Sequence, residues 1–181
     1  MLKEGDKAPA FALESDSGEV IRLADLRGKR VVVYFYPKDS TPGCTREAQA
    51  FTALAEDFAA AGAVVLGISK DSVKSHCSFR DKYELAIPLL SDPELSAHKG
   101  FGAFGKKVMY GREVEGTIRS TFVLGPDGVV EKVYPSVKVD GHAEAVLAFL
   151  RGEGSAKKAP AAAPAAKKAV ATKAAAKTLA A

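Results

Sequence analysis

Two apolar runs constrain the fold more than any other feature of the chain. Val31-Val32-Val33-Tyr34-Phe35-Tyr36 is a block of β-branched and aromatic residues stopped by Pro37, and Val64-Val65-Leu66-Gly67-Ile68-Ser69 repeats the pattern. Neither run alternates with polar residues, so each reads as a strand buried on both faces. Between them, Ala48, Phe51, Leu54, Ala55 and Phe58 recur at helical spacing, which predicts a helix over residues 45–61 ending at Gly62. A helix joining two strands of one sheet is a crossover, and a crossover lays its strands parallel.

The remaining segments build on that unit. Phe11-Ala12-Leu13, the turn Asp16-Ser17-Gly18 and Val20-Ile21-Arg22-Leu23 predict a small N-terminal β-hairpin. Asp71 or Ser72 caps a second predicted helix that runs to about Tyr83. Ser91-Asp92-Pro93 opens a third, with Pro93 in its first turn and Gly100 near its end. Ser120-Thr121-Phe122-Val123-Leu124, the turn Gly125-Pro126-Asp127-Gly128 and the run from Val129 to Tyr134 predict a late hairpin, and residues 141–151 a final amphipathic helix. The expected fold is α/β: a mixed central sheet flanked by helices, of thioredoxin-like type, over residues 1–152. Residues 153–181 are Ala/Lys/Pro-rich low complexity with too few large apolar residues for a core, and read as a disordered basic tail.

Charge separates the same two parts. The net charge is +4, but Lys157, Lys158, Lys167, Lys168, Lys173 and Lys177 lie in the tail, where no acidic residue follows Ala156. Removing those 6 from 26 Lys and Arg leaves 20 against 22 Asp and Glu, so the first 155 residues carry a formal charge of −2. The domain therefore has no electrostatic reason to bind nucleic acid. The tail could touch DNA or another anionic surface weakly and salt-dependently, or serve only as a solubilising extension. No apolar run approaches membrane-spanning length, and the charged N-terminus lacks the continuous apolar block of a secretory signal, so the expected location is cytoplasmic without membrane insertion.

In that compartment the two cysteines, Cys44 and Cys77, do not form a structural disulfide framework, and His76, His98 and His142 do not complete a metal site with them. No metal or cofactor is expected. Gly100, Gly102 and Gly105 imitate a dinucleotide fingerprint only loosely, with no strand before them, and read as a mobile aromatic-bearing loop near the functional site. His76 reads as a solvated residue.

Cys44 follows a turn at the expected start of the first helix. Unpaired backbone N–H groups and the positive end of the helix dipole favour the anionic thiolate there. A reactive nucleophile and a small buried hydrophobe both remain open on that ground alone. The surrounding residues decide between them. Pro37-Lys38-Asp39-Ser40-Thr41-Pro42-Gly43-Cys44 has the form Pro-x-x-x-Thr-x-x-Cys, which resembles the active-site signature of the peroxiredoxins. Thr-Pro-Gly-Cys-Thr-x-Glu-Ala resembles more narrowly the bacterioferritin-comigratory-protein, or peroxiredoxin Q, branch. The resemblance runs over about residues 3–151 through Gly5-Asp6-Lys7-Ala8-Pro9, Gly67-Ile68-Ser69, Pro88-Leu89-Leu90-Ser91-Asp92, Tyr110-Gly111 and Arg119-Ser120-Thr121-Phe122.

The resemblance implies a thiol peroxidase acting on hydrogen peroxide and organic hydroperoxides. It makes Cys44 the peroxidatic cysteine, Thr41 a hydrogen-bonding partner of the peroxide, Pro37 a shield for the sulfenic acid and Arg119, on a distant strand, the stabiliser of thiolate and transition state. Many members of the branch carry the resolving cysteine five residues after the first, where this chain has Gln49. Others carry it on the next helix, which makes Cys77 the candidate for an intramolecular disulfide re-reduced by thioredoxin or a similar dithiol. Bridging the two sulfurs would need Cα atoms within about 7 Å and hence local unwinding. The alternatives are a one-Cys peroxidase with an external thiol and, in a different class, a nucleic-acid-associated protein acting through its tail. A general disulfide oxidoreductase is disfavoured because Cys-x-x-Cys is absent. The resemblance also favours a monomer, with a dimer in some members.

Overall fold

The computed structural model describes residues 1–152, and the basic tail expected at 153–181 lies outside the described residues. Nine strands and five helices follow in the order β1 (Ala12–Ser15), β2 (Val20–Arg22), β3 (Arg30–Phe35), α1 (Pro42–Ala53), α2 (Ala55–Ala60), β4 (Ala63–Ser69), α3 (Val73–Tyr83), β5 (Leu89–Ser91), α4 (Ser96–Phe101), β6 (Phe104–Met109), β7 (Arg112–Thr117), β8 (Ser120–Leu124), β9 (Val130–Tyr134) and α5 (His142–Leu150), among the described residues.

Seven strands form one sheet in the order β2-β1-β5-β4-β3-β8-β9. The pairs β3–β4 and β4–β5 are parallel, while β8 joins β3 antiparallel and β1 joins β5 antiparallel. The expected mixed sheet is what forms. Strand periodicity divides the core between its faces. Val32, Tyr34 and Tyr36 point to one side, against Ala48 and Phe51 of α1, Phe58 of α2, Phe79 of α3 and Val146 of α5. Val31, Val33 and Phe35 point to the other, against Phe101, Phe122 and Leu66. Opposite Tyr34 in the ladder stands Gly67, and a Cβ there would lie 2.7 Å from the tyrosine Cζ and Oη. Only a glycine at that register lets the buried ring lie flat on the sheet.

Three expectations are corrected. The helix expected to open at Ser91-Asp92-Pro93 begins only at Ser96, because Leu89–Ser91 pairs with β4 as an interior strand. Asp92 supports the later start: its Oδ1 accepts from the Ser96 N–H at 2.9 Å and its Oδ2 from the His98 N–H at 2.9 Å. The segment expected as a mobile loop near Gly100–Gly105 is the end of α4 and the start of a two-stranded β6–β7 hairpin. Its turn, Tyr110-Gly111, has φ of 52° and 74°, the positive pair that matches the right-handed strand twist of a tight hairpin. The single helix expected over 45–61 starts earlier, at Pro42, and leaves helical geometry at Leu54, dividing into α1 and α2.

Candidate active site

The end of β3 and the start of α1 place the cysteine. After Phe35 the chain passes through half-buried Pro37 and turns at Asp39-Ser40, with Ser40 in the left-handed region at φ 59°. Thr41 is extended and stands at the N-cap, Pro42 takes the first helical position and Cys44 the third. The missing N–H of Pro42 costs nothing there, since the first helical N–H groups have no intrahelical partner. The first α1 bond runs from the Thr45 N–H to the Thr41 carbonyl at 2.8 Å. The N–H groups of Gly43 and Cys44 precede it and face the helix end, where the dipole favours negative charge.

Arg119 completes the site from the same face of the sheet, out of the segment that leads into β8. It lies not on a strand, as expected, but in the two-residue link before β8. Its Nη2 donates to Cys44 Sγ at 3.2 Å and its Nη1 donates to Glu47 Oε2. Gly43 keeps the approach open, because a Cβ there would stand 3.3 Å from Arg119 Nη2. Burial opposes charge on Arg119, but Glu47 and Cys44 outweigh it and hold the guanidinium above its usual pKa. The sulfur is 1% exposed, so the pair works in a water-poor environment where Coulomb terms are strong. Thr41 Oγ1 donates its proton to the Lys38 carbonyl at 2.9 Å, which leaves the oxygen lone pairs free to accept.

Glu47 is the functional residue that sequence reasoning passed over. Its spacing of three from Cys44 puts both on one helix face, but its partner Arg119 is 72 residues away. The carboxyl is 1% exposed and Oε1 has no partner, so burial lifts its pKa from 4.5 to about 7 despite Arg119. The folded value lies above the unfolded one. The neutral form is therefore the one folding favours, and this contribution is complete below pH 4.5 and lost as pH rises through about 7. A shift of that size amounts to about 3 kcal/mol. Urea unfolding at pH 5 and pH 8 should show the wild type losing stability by most of that amount relative to Glu47→Gln. A difference that does not change with pH would refute the buried titration.

Cys77 is elsewhere. It lies on α3, where Sγ donates to the Asp16 carbonyl at 2.9 Å beside the β1–β2 turn. Asp16 follows β1 and Arg119 precedes β8, and those strands are separated in the sheet by β5, β4 and β3. At about 4.8 Å per strand the two anchoring segments are roughly 15–20 Å apart. Both cysteines are free thiols. Gln49 is exposed on α1 and takes no part. The structure thus joins Cys44 to Arg119 and, through it, to Glu47, with Thr41 at the N-cap of the same helix and Pro37 in the turn before it, and leaves Cys77 outside.

The expectation of a solvated His76 is overturned. The ring is fully buried, its Nδ1 donating to Asp39 Oδ2 at 2.8 Å and its Nε2 facing the Leu90 carbonyl at 3.1 Å. Asp39 also accepts from Tyr36 Oη at 2.7 Å and Ser75 Oγ at 2.7 Å. Burial pushes the Asp39 pKa up, but these hydrogen bonds, led by His76, overcome it and hold the carboxyl below its usual value.

Comparison with known proteins gives this arrangement a context. The chain matches the AhpC/TSA family over residues 4–133. The peroxiredoxin Bcp of Xanthomonas campestris is 52% identical over 139 residues, which cover 77% of this chain and 87% of that protein. A solved structure of a Xanthomonas campestris bacterioferritin comigratory protein superposes with a TM-score of 0.75 at 46% identity, covering 80% of this chain and 92% of that one. A PrxQ mutant from Xylella fastidiosa gives a TM-score of 0.80 at 38% identity over 86% of this chain and 99% of its own.

Proposed function

This chain belongs to the AhpC/TSA family of thiol peroxidases, and on that premise we propose that Cys44 is its peroxidatic nucleophile, with hydrogen peroxide and organic hydroperoxides as substrates. The observation that carries this reading is the guanidinium hydrogen bond to a buried sulfur at a helix N-terminus, Arg119 Nη2 to Cys44 Sγ at 3.2 Å. The Xanthomonas relative studied for its alkyl peroxide reduction activity supports the substrate class.

The chemistry follows from the placement. The thiolate attacks one peroxide oxygen, a sulfur–oxygen bond forms as the O–O bond breaks, and the leaving oxygen departs with the electron pair as an alkoxide or hydroxide that takes up a proton. The sulfur is oxidised to sulfenic acid and the peroxide reduced. Arg119 and the N–H groups of Gly43 and Cys44 are fixed where negative charge shifts from sulfur to oxygen, so they stabilise the transition state without reorganising. Thr41 Oγ1, its own proton committed to the Lys38 carbonyl, accepts a hydrogen bond from the peroxide O–H and orients the O–O bond. Pro37 closes one side of the sulfur and slows over-oxidation by water-borne peroxide.

Turnover needs a second thiol. We assign Cys77 to that role: its sulfur displaces water from the Cys44 sulfenic acid, and thioredoxin or a similar dithiol reduces the resulting disulfide. We take the protein to act as a monomer in the cytoplasm. No helix among the described residues is long and apolar enough to cross a membrane. Any contact of the tail with DNA is separable from this chemistry, and deleting residues 153–181 leaves peroxide reduction intact in this account.

The Cys77 anchorage at Asp16 favours a second reading, in which an external thiol resolves Cys44 directly. Cys77→Ser separates the two. With an internal resolver, thioredoxin-coupled turnover falls on the order of 10²-fold while the first oxidation of Cys44 proceeds at the wild-type rate, since an intramolecular thiol has the advantage of effective concentration. Full thioredoxin-coupled turnover in the variant would establish the external thiol instead.

A further inference from the structure

If Cys77 resolves Cys44, as proposed above, α3 must release it first, because the segments that anchor the two sulfurs are roughly 15–20 Å apart and a disulfide joins Cα atoms within about 7 Å. What grips the start of α3 therefore matters for catalysis. One carboxylate ties that start to the peroxidatic turn. Asp39 Oδ2 accepts from Ser75 Oγ at 2.7 Å and from His76 Nδ1 at 2.8 Å, the two residues directly before Cys77. The same carboxylate accepts from Tyr36 Oη at 2.7 Å, and the Asp39 N–H donates to Asp71 Oδ2 at 3.0 Å just ahead of the α3 cap. Asp39 itself belongs to the turn that delivers Thr41 and Cys44, and it is 6% exposed. His76 is fully buried and also tied to the Leu90 carbonyl of β5 at 3.1 Å, so it has no water to exchange with when the contact breaks.

We infer that the Asp39–His76–Ser75 cluster couples the peroxidatic turn to the resolving helix. While Cys44 is reduced and the first turn of α1 is wound, Asp39 holds the start of α3 in place and Cys77 faces Asp16. When oxidation of Cys44 opens that turn, Asp39 withdraws from His76 and Ser75, and the first turns of α3 unwind toward the sulfenic acid. His76 and Ser75 are positioning residues: neither touches the reacting sulfur, and both act through Asp39. The step they time is condensation of the Cys44 sulfenic acid with the Cys77 thiol, which forms the S–S bond and releases water.

The test is rapid mixing of wild type, His76→Gln and Ser75→Ala with one equivalent of hydrogen peroxide, quenched at intervals and read by mass spectrometry. Two phases are followed: oxidation of Cys44, and appearance of the Cys44–Cys77 linkage. Coupling predicts a second phase about tenfold faster in His76→Gln and about threefold faster in Ser75→Ala, as expected from losing a charge-assisted and an ordinary hydrogen bond. The first phase stays within about twofold of wild type. Linkage that forms in the wild type but at an unchanged rate in both variants overturns the coupling and leaves Cys77 as the resolver. No linkage in the wild type overturns both. If the variants slow both phases together, the cluster is merely structural and the coupling is again overturned. Ser75 is only half-buried, so its variant keeps the test decisive should His76→Gln fold poorly.

Discussion

Replacing Cys44 with serine removes peroxide reduction, with a fall of at least about 10⁴-fold in the rate constant for attack. The oxygen of serine occupies nearly the volume of the sulfur and accepts the same hydrogen bond from Arg119. The side chain is already 1% exposed, so the variant should keep the wild-type fold. What disappears is the nucleophile: an aliphatic hydroxyl is not ionised near neutral pH. Peroxide consumption coupled to a dithiol reductant, measured beside the circular dichroism spectrum and melting temperature, separates this from misfolding. Activity above about 1% of wild type in a folded Cys44→Ser protein would move the peroxidatic role to Cys77, the remaining thiol.

Arg119→Met is expected to cost about 10²–10³-fold in the same rate constant, the range found when a preorganised donor to developing charge is removed. The loss is double, because one guanidinium serves both partners, Cys44 Sγ through Nη2 and Glu47 Oε2 through Nη1. Glu47 would then have neither oxygen paired, since Oε1 has no partner even in the wild type. Its carboxyl stays neutral over a wider pH range, which relieves the cost of burying a charge and keeps the variant folded. Arg119→Lys restores a positive charge but not the fork that reaches two acceptors, so it recovers only part of the rate. The observed rate of Cys44 oxidation plotted against peroxide concentration gives the value directly. A slope within threefold of wild type would show that the helix N-terminus alone supplies the stabilisation.

How much of this was legible in the sequence depended on the range of the interactions. The runs at 31–36 and 64–69 announced buried parallel strands because they are apolar on both faces, and the helix between them forced a crossover. Leu89–Ser91 did not announce itself, since three residues carry no periodicity, and Asp92-Pro93 behind them imitates a helix start. The β6–β7 hairpin is mostly exposed, with Tyr110 at 98%, so it lacks the apolar alternation by which strands are recognised. In the site, Pro37, Thr41 and Cys44 are local to one turn and were readable as a motif. Arg119 was placed only through resemblance, being 75 residues from the sulfur it touches. His76 was misread for the same reason: its partners Asp39 and Leu90 lie 37 and 14 residues away, so nothing nearby signals that the ring is buried. Cys77 was found as a residue but not as a position, since only the sheet order shows how far α3 holds it from Cys44.

The most direct test of the account joins its two sulfurs. The reduced full-length protein is treated with one equivalent of hydrogen peroxide, alkylated under acid quench and digested, and the cysteine peptides are identified by mass spectrometry. Cys44 and Cys77 should leave the free-thiol pool together and return as one intramolecular linkage lacking two hydrogens relative to the reduced chain. Cys44 held as a stable sulfenic acid with Cys77 still free would contradict the resolving partnership, and Cys77 oxidised with Cys44 intact would contradict the site itself.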